Sequence, residues 1–197
     1  MEYAESTRQA LVDSAVELFA GQGYAGTSLD EVVKRSRVTK GALYHHFSGK
    51  QALFEAALTE VETTVMASIG EIVTGSGDPW EAAIAALRTY MQACLQPAYQ
   101  RIVLHEGPVV MGWERWREAE ERMSFRVVRT AVRTVIEAGE IEDIPLEIGT
   151  RLVFGLLSAG ANTIASAADP EQAGADVTRC VIRIIEGMRR KPATTAG

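Results

Sequence analysis

Between Val32 and Phe54 the sequence carries five basic residues, Lys34, Arg35, Arg37, Lys40 and Lys50, and no acidic one. His45 and His46 sit among them. Local positive charge on a chain of net charge -6 is a footprint for a polyanion. On charge alone it also fits a solvated basic helix face. The residue types narrow the choice. Thr39 can cap a helix and give its hydroxyl to a phosphate, and the unpaired N–H groups of a helix start favour an anion. Lys40 would project from the first turn, and Gly41 would let the backbone approach a partner closely. Tyr44 offers a ring to a thymine methyl and a hydroxyl to phosphate or base. His45 and His46 are further donors, and Lys50 would open the next helix near a phosphate backbone. In such a set the phosphate contacts position and the base contacts specify.

Other chemistry fails on spacing. Adjacent histidines on a helix point about 100° apart, so His45 and His46 do not converge on one ion. His105 precedes Glu106, but position 109 is Val109, so HExxH is absent. His105 reads as a satisfied, partly buried histidine or as a polar anchor in a pocket. The run Gly155 to Gly160 misses the GxSxG elbow by one residue at Ser158. Gly49-Lys50 is followed by Gln51 and has no glycine five residues earlier, which excludes a P-loop. Cys94 and Cys180 are far apart and lack CxxC partners, which argues against a disulfide framework or a cysteine metal cluster. No enzyme, metal or cofactor is expected.

The 197 residues are 47% hydrophobic and 23% charged, the balance of an ordinary globular protein and not of a disordered one. Residues 1–52 hold six basic and six acidic residues, so the net -6 lies in residues 53–197. The longest uncharged run, Leu152 to Ala168, contains Ser158, Asn162, Thr163 and Ser166, too short and polar for a membrane span. The acidic start Met1 to Glu5 has no apolar core of a secretory signal. The expectation is a cytoplasmic protein with no membrane partner.

Hydrophobic spacing reads helical almost throughout. Ser6 with Gln9 predicts a capping box ahead of the stripe Leu11, Ala15, Leu18, Phe19, with Gly21 and Gly23 as the stop. A short helix is expected from Thr27 or Ser28, a turn at Ser36-Arg37-Val38, and a second short helix from Thr39 to about His46. Ser48 with Gln51 predicts a box opening a helix to about Val73. Gly75-Ser76-Gly77 reads as a loop, and Asp78-Pro79 as the next helix start. Gly107-Pro108 is expected to interrupt the chain. Helices follow from Trp113 to Ala138, with Gly139 as stop, from Leu146 to Ala168, and from Asp169-Pro170 onward, with a frayed tail after Arg190. No β-alternation of useful length appears. The fold class is all-α with about nine helices, divided into residues 1–52 and 53–197.

Two short helices joined by a tight turn and braced by a first helix form a helix-turn-helix, whose second helix reads the major groove. The run Thr27-Ser28-Leu29-Asp30-Glu31-Val32-Val33, followed by Val38-Thr39-Lys40-Gly41-Ala42-Leu43-Tyr44-His45-His46-Phe47-Ser48-Gly49-Lys50, resembles the signature of the tetracycline-repressor (TetR) family. The resemblance covers about residues 6–55. It implies a homodimeric transcription regulator whose C-terminal domain binds a small molecule and thereby releases a double-stranded DNA operator. It also implies DNA contacts at Thr27 or Ser28, Thr39, Lys40, Gly41, Tyr44, His45, His46 and Lys50, with Leu43 and Phe47 in the core. The family's usual turn glycine is Arg37 here. If that position needs positive φ, Arg37 costs on the order of 1 kcal/mol, which an added phosphate contact could recover.

The helices at about 146–168 and 171–190 carry Gly155, Ser158, Ala159, Gly160 and Ala161 opposite a Val177 to Met188 stripe. They either close the monomer core or form a four-helix seam across a two-fold axis; the resemblance favours the seam. Tyr90, Met91, Cys94, Met111, Trp113, Trp116, Met123 and Phe125 fall where the family builds its ligand site, with His105, Asn162 and Thr163 as polar anchors. That composition points to a largely apolar or aromatic effector. Other readings are a helical carrier or enzyme with an incidental helix-turn-helix, or an activator within the same family.

Overall fold

Side-chain caps at Ser28, Thr39, Asp78 and Asp169 set four of the helix starts. The computed structural model describes residues 2–75 and 77–190. Ser76 of the expected loop and the tail after Arg190 lie outside the described residues. In chain order the helices are α1 (Glu2–Gly26), α2 (Leu29–Ser36), α3 (Lys40–His46), α4 (Lys50–Thr74) and α5 (Pro79–Ala93). A π-helix (Tyr99–Glu106) follows, then α6 (Gly107–Met111), α7 (Trp113–Glu137), α8 (Leu146–Ser166) and α9 (Pro170–Glu186). No strand occurs among the described residues; Ile141 and Arg189 form an isolated antiparallel bridge. The fold is all-α.

Two compact units emerge, residues 1–65 with 94–120, and residues 66–93 with 121–197. In the first, Leu11, Ala15 and Phe19 of α1 are buried, as are Val32 of α2, Leu43 of α3 and Leu53 and Phe54 of α4. Phe19 and Tyr24 both pack on the Phe54 ring, at 5.2 and 5.3 Å. Burial of these large side chains holds two helices too short to stand alone. In the second unit Trp80, Val135 and Ile141 form a buried cluster. Arg189 covers the Trp80 ring at 4.9 Å and bonds Glu140 at 3.0 Å.

Several helix ends differ from expectation. α1 runs through Ser6 from Glu2, so no capping box forms there. Gly21 remains helical and the break falls at Gly23, with φ 77°. The groups loosened there are held by the π-helix: Arg101 donates to the carbonyls of Gly21 (2.8 Å) and Ala20 (3.2 Å), and Glu106 accepts from the Tyr24 N–H at 2.8 Å. The positive φ favours glycine at position 23, and a Cβ there would meet Glu106 Oε1 at 2.5 Å and displace that side chain from its bond.

α4 starts at Lys50, not at Ser48, and the Gln51 amide donates to Glu55 and to the Val110 carbonyl. Gly107-Pro108 marks a change of helix type and not a loop. Proline sits in the first turn of α6, where no N–H is needed, so the π-helix passes directly into α6. The break comes at Gly112, with φ 83°. Asp78 and Asp169 cap as expected, accepting from Glu81 and Gln172 N–H groups.

Candidate nucleic-acid interface and apolar cavity

The interface begins with two capped short helices. Ser28 accepts the Glu31 N–H at 3.2 Å, while Glu31 Oε2 accepts the Ser28 N–H and hydroxyl at 2.8 and 2.7 Å. These bonds, the side-chain one first, hold the Glu31 carboxyl below its usual pKa. Thr39 caps α3 by accepting the Ala42 N–H at 3.2 Å. Between the helices Arg37 adopts φ 57° and ψ 30°, the only positive φ at a non-glycine among the described residues. The departure from glycine therefore falls on a left-handed residue.

Buried Leu43 and Phe47 anchor α3 from below and leave Thr39, Lys40, Gly41, Tyr44 and His45 exposed on one side. Tyr44 is 52% exposed, which leaves its ring and hydroxyl open to a partner. His46 is half-buried, its ring 5.2 Å from that of His45. Lys40 bonds Asp30 at 2.6 Å, and that carboxylate raises the ammonium's pKa. Both partners are well exposed, so a phosphate can replace Asp30 at little cost. Lys50 lies 4.5 Å over the Tyr24 ring. Thr27 is different. It is buried, and its hydroxyl donates to the Gly23 carbonyl at 2.8 Å, so it serves the kink in α1. Of the pair Thr27 or Ser28, only Ser28 is on the surface.

The second unit holds a partly open cavity of about 120 Å³. Met66, Ile69 and Val73 of α4 line it, with Trp80, Leu87 and Tyr90 of α5. Val128, Val132 and Val135 of α7, Phe154 and Leu157 of α8 and Ile185 of α9 complete the wall. Among the described residues no charged side chain lines it; the hydroxyl-bearing ones are Tyr90, Ser124 and Ser158.

Of the residues expected at a pocket, Tyr90 lines this cavity and the others do not. Phe125 packs behind the wall, its ring 5.8 Å from that of Phe154. Met91 packs against Gly160, which has no room for a Cβ beside Val177 (2.9 Å) and Met91 (3.3 Å). Cys94 is buried in the first unit. Trp116 is buried there too and donates to the Val103 carbonyl at 2.8 Å. Trp113 and His105 are exposed, Met111 is half-buried, and all three belong to the first unit. Asn162 is exposed on α8. Met and Trp at helical spacing marked core and surface here, because the apolar wall is built mainly from Val, Ile and Leu that look like any core.

Sequence reasoning passed over two buried groups. Glu62 is fully buried on the α4 stripe Leu58, Glu62, Met66, Ile69, Val73, with neither carboxylate oxygen hydrogen-bonded among the described residues. A charge on an apolar stripe was the available signal. Burial, and then the nearby Glu120, push its pKa up to about 7. Ser124, 6% exposed, has no hydrogen-bond partner for its Oγ among the described residues. No group of three or more His, Cys, Asp or Glu suited to a metal occurs among the described residues, and none of their helices is long and apolar enough to cross a membrane.

Comparison with known proteins fits these features. Residues 11–57 match the family described as bacterial regulatory proteins, tetR family, and residues 80–188 match the tetracyclin repressor-like C-terminal domain. The chain is 28% identical to the HTH-type transcriptional regulator SrpR of Pseudomonas putida over 164 residues, 80% of this chain and 76% of that one. A TetR-family transcriptional regulator of Pectobacterium atrosepticum superimposes with a TM-score of 0.85 at 26% identity, covering 98% of both chains. RolR in complex with the ligand resorcinol shares the fold, with a TM-score of 0.67 at 21% identity over 100% of this chain and 99% of that one.

Proposed function

The chain belongs to the TetR family of transcriptional regulators, and from that premise we propose that it is a cytoplasmic repressor. A homodimer holds a palindromic operator and releases it when a small, largely apolar molecule fills the cavity of the second unit. Residues 1–52 read the DNA, and residues 53–197 bind the effector and the second copy. The observation that carries this reading is the face of α3, where Thr39, Lys40, Gly41, Tyr44 and His45 stand exposed over buried Leu43 and Phe47. Ser28, Arg37, His46 and Lys50 would supply flanking contacts.

The dimer draws support from α8, α9 and the turn after it, which leave Ile148, Leu152, Ile184 and Met188 exposed in a single chain. The apolar lining of the cavity supports the effector, and RolR with its resorcinol is a fold relative that takes a small molecule. α4 buries Leu53 and Phe54 in the first unit and lines the cavity with Met66, Ile69 and Val73, so it is the proposed lever. An effector shifts the equilibrium only by preferring the conformation that does not fit DNA.

A fluorescence-anisotropy titration at two salt concentrations tests the reading, with DNA from upstream of the protein's own gene against random DNA. The expected result is preference of about a thousandfold or more, with two protomers or a multiple bound. Equal, weak binding to both would overturn it. The same assay, with a denaturant titration for stability, checks Arg37. Arg37→Gly is expected to stabilise the fold by about 1 kcal/mol, by relieving the left-handed strain. It is also expected to lower the salt slope by about one ion through loss of a phosphate contact. An unchanged slope would leave Arg37 without a role on DNA.

A further inference from the structure

A hydroxyl inside an α-helix commonly returns to the carbonyl four residues back, which satisfies it. This chain follows that habit closely. On α7, Thr130 bonds the Arg126 carbonyl at 3.0 Å and Thr134 that of Thr130 at 2.9 Å. Thr59, Thr74, Thr150 and Thr178 do the same on their helices. Ser124, on the same helix as the first two, does not. Its Oγ is buried with no partner among the described residues, and Ser124 lines the apolar cavity. A buried hydroxyl left unpaired is a standing cost unless something else comes to meet it.

The rest of the wall limits what that can be. No Asp, Glu, Lys, Arg or His among the described residues lines the cavity, so a charged ligand would be desolvated with none of them to pair it. Arg101 and Arg115 are engaged elsewhere, on the α1 carbonyls and on Glu55. The volume of about 120 Å³ compares with the apolar cavity of roughly 150 Å³ that accommodates a benzene ring in another protein.

We propose that the effector is an uncharged molecule of about one-ring size, mostly hydrocarbon, whose single hydroxyl or carbonyl is hydrogen-bonded by Ser124. This rests on the cavity being the effector site. Ser124 then discriminates among apolar molecules of equal size by the polar group they carry. A site with a hydrogen-bonding group disfavours the analogue that lacks its counterpart.

The test uses calorimetric titration of the full chain, free of DNA, with phenol, toluene and benzoate. Phenol and toluene have nearly the same shape and differ in a hydroxyl for a methyl. The quantity read is the ratio of their affinities, compared between the native chain, Ser124→Ala and Ser158→Ala; melting temperature checks that each variant folds. Ser124→Ala is expected to lower the phenol-to-toluene ratio about tenfold and to leave the melting temperature equal or higher. Ser158→Ala is expected to leave the ratio unchanged, and benzoate to show no binding.

An unchanged ratio in Ser124→Ala, a fall confined to Ser158→Ala, or benzoate binding as tightly as phenol would each overturn the proposal while leaving the cavity as effector site. Absence of binding by both neutral probes would overturn the cavity reading with it. Operator binding is measured separately and stands or falls alone.

Discussion

Leu152→Asp is expected to turn the protein into a monomer and to weaken operator binding by a hundredfold or more. Leu152 is 70% exposed in the single chain, on a stripe of α8 that runs Ile148, Leu152, Gly155, Ala159. Gly155 has nothing within 4 Å of where a Cβ would stand. Ile184, 54% exposed, and Met188 add apolar surface from the end of α9 onward. The other side of α8 is already spent inside the unit, where Gly160, Ala161 and Ile164 are buried, and Gly160 gives α9 its close approach. An aspartate at 152 therefore leaves the chain's own packing untouched. In the proposed two-fold seam it appears twice, facing its own copy, and two desolvated like charges cannot both be paired. A monomer keeps one recognition helix and loses the second half-site, whose binding is otherwise intramolecular. Sedimentation and the anisotropy titration read the two effects together. A Leu152→Asp chain that remains dimeric at the same concentration would remove this face from the interface.

The small-residue content of α8 shows how far the sequence could be read. Gly155, Ser158, Ala159, Gly160 and Ala161 announce a close helix neighbour, but not on which side. Gly160 meets α9 of the same chain and Ala161 is buried beside it, while Gly155 and Ala159 stay on the surface. One-dimensional spacing marks both and cannot divide them. The α2–α3 pair was more legible, because capping is local. Ser28 and Glu31, and Thr39 with Ala42, lie within one turn of each other, so their bonds follow from residue type and spacing. Thr27 failed for the opposite reason. Its partner is the carbonyl of Gly23, exposed by a kink that the glycines suggested only as a helix stop. The cavity was the least legible feature. Its walls come from α4, α5, α7, α8 and α9, and each wall residue alone has the chemistry of a core residue.

Glu62 carries the last expectation. Its pKa of about 7, raised first by burial and then by Glu120, means that the folded chain keeps its proton where an unfolded glutamate has lost it. Below about pH 4.5, the ordinary value, both states are protonated and Glu62 is neutral for stability. Between about 4.5 and 7 only the unfolded state ionises, so stability falls as the pH rises. Above 7 the loss is complete, on the order of 3 kcal/mol. This is the reverse of the usual carboxylate, whose lowered pKa makes the fold lose stability in acid. Glu62→Gln puts a neutral group of the same shape on the stripe between Leu58 and Met66. It is expected to match the native chain near pH 4.5 and to exceed it at pH 8 by that amount, roughly 10 °C in melting temperature for a chain of this size. Glu120→Gln removes the smaller cause and is expected to recover a minor part of the same difference. Denaturant titrations of the three chains at pH 5 and pH 8 decide the matter. Parallel pH dependence in the native chain and Glu62→Gln would mean that Glu62 titrates in the fold as it does in the unfolded chain. A widening gap toward alkaline pH is the expected signature of a carboxyl that the fold holds protonated.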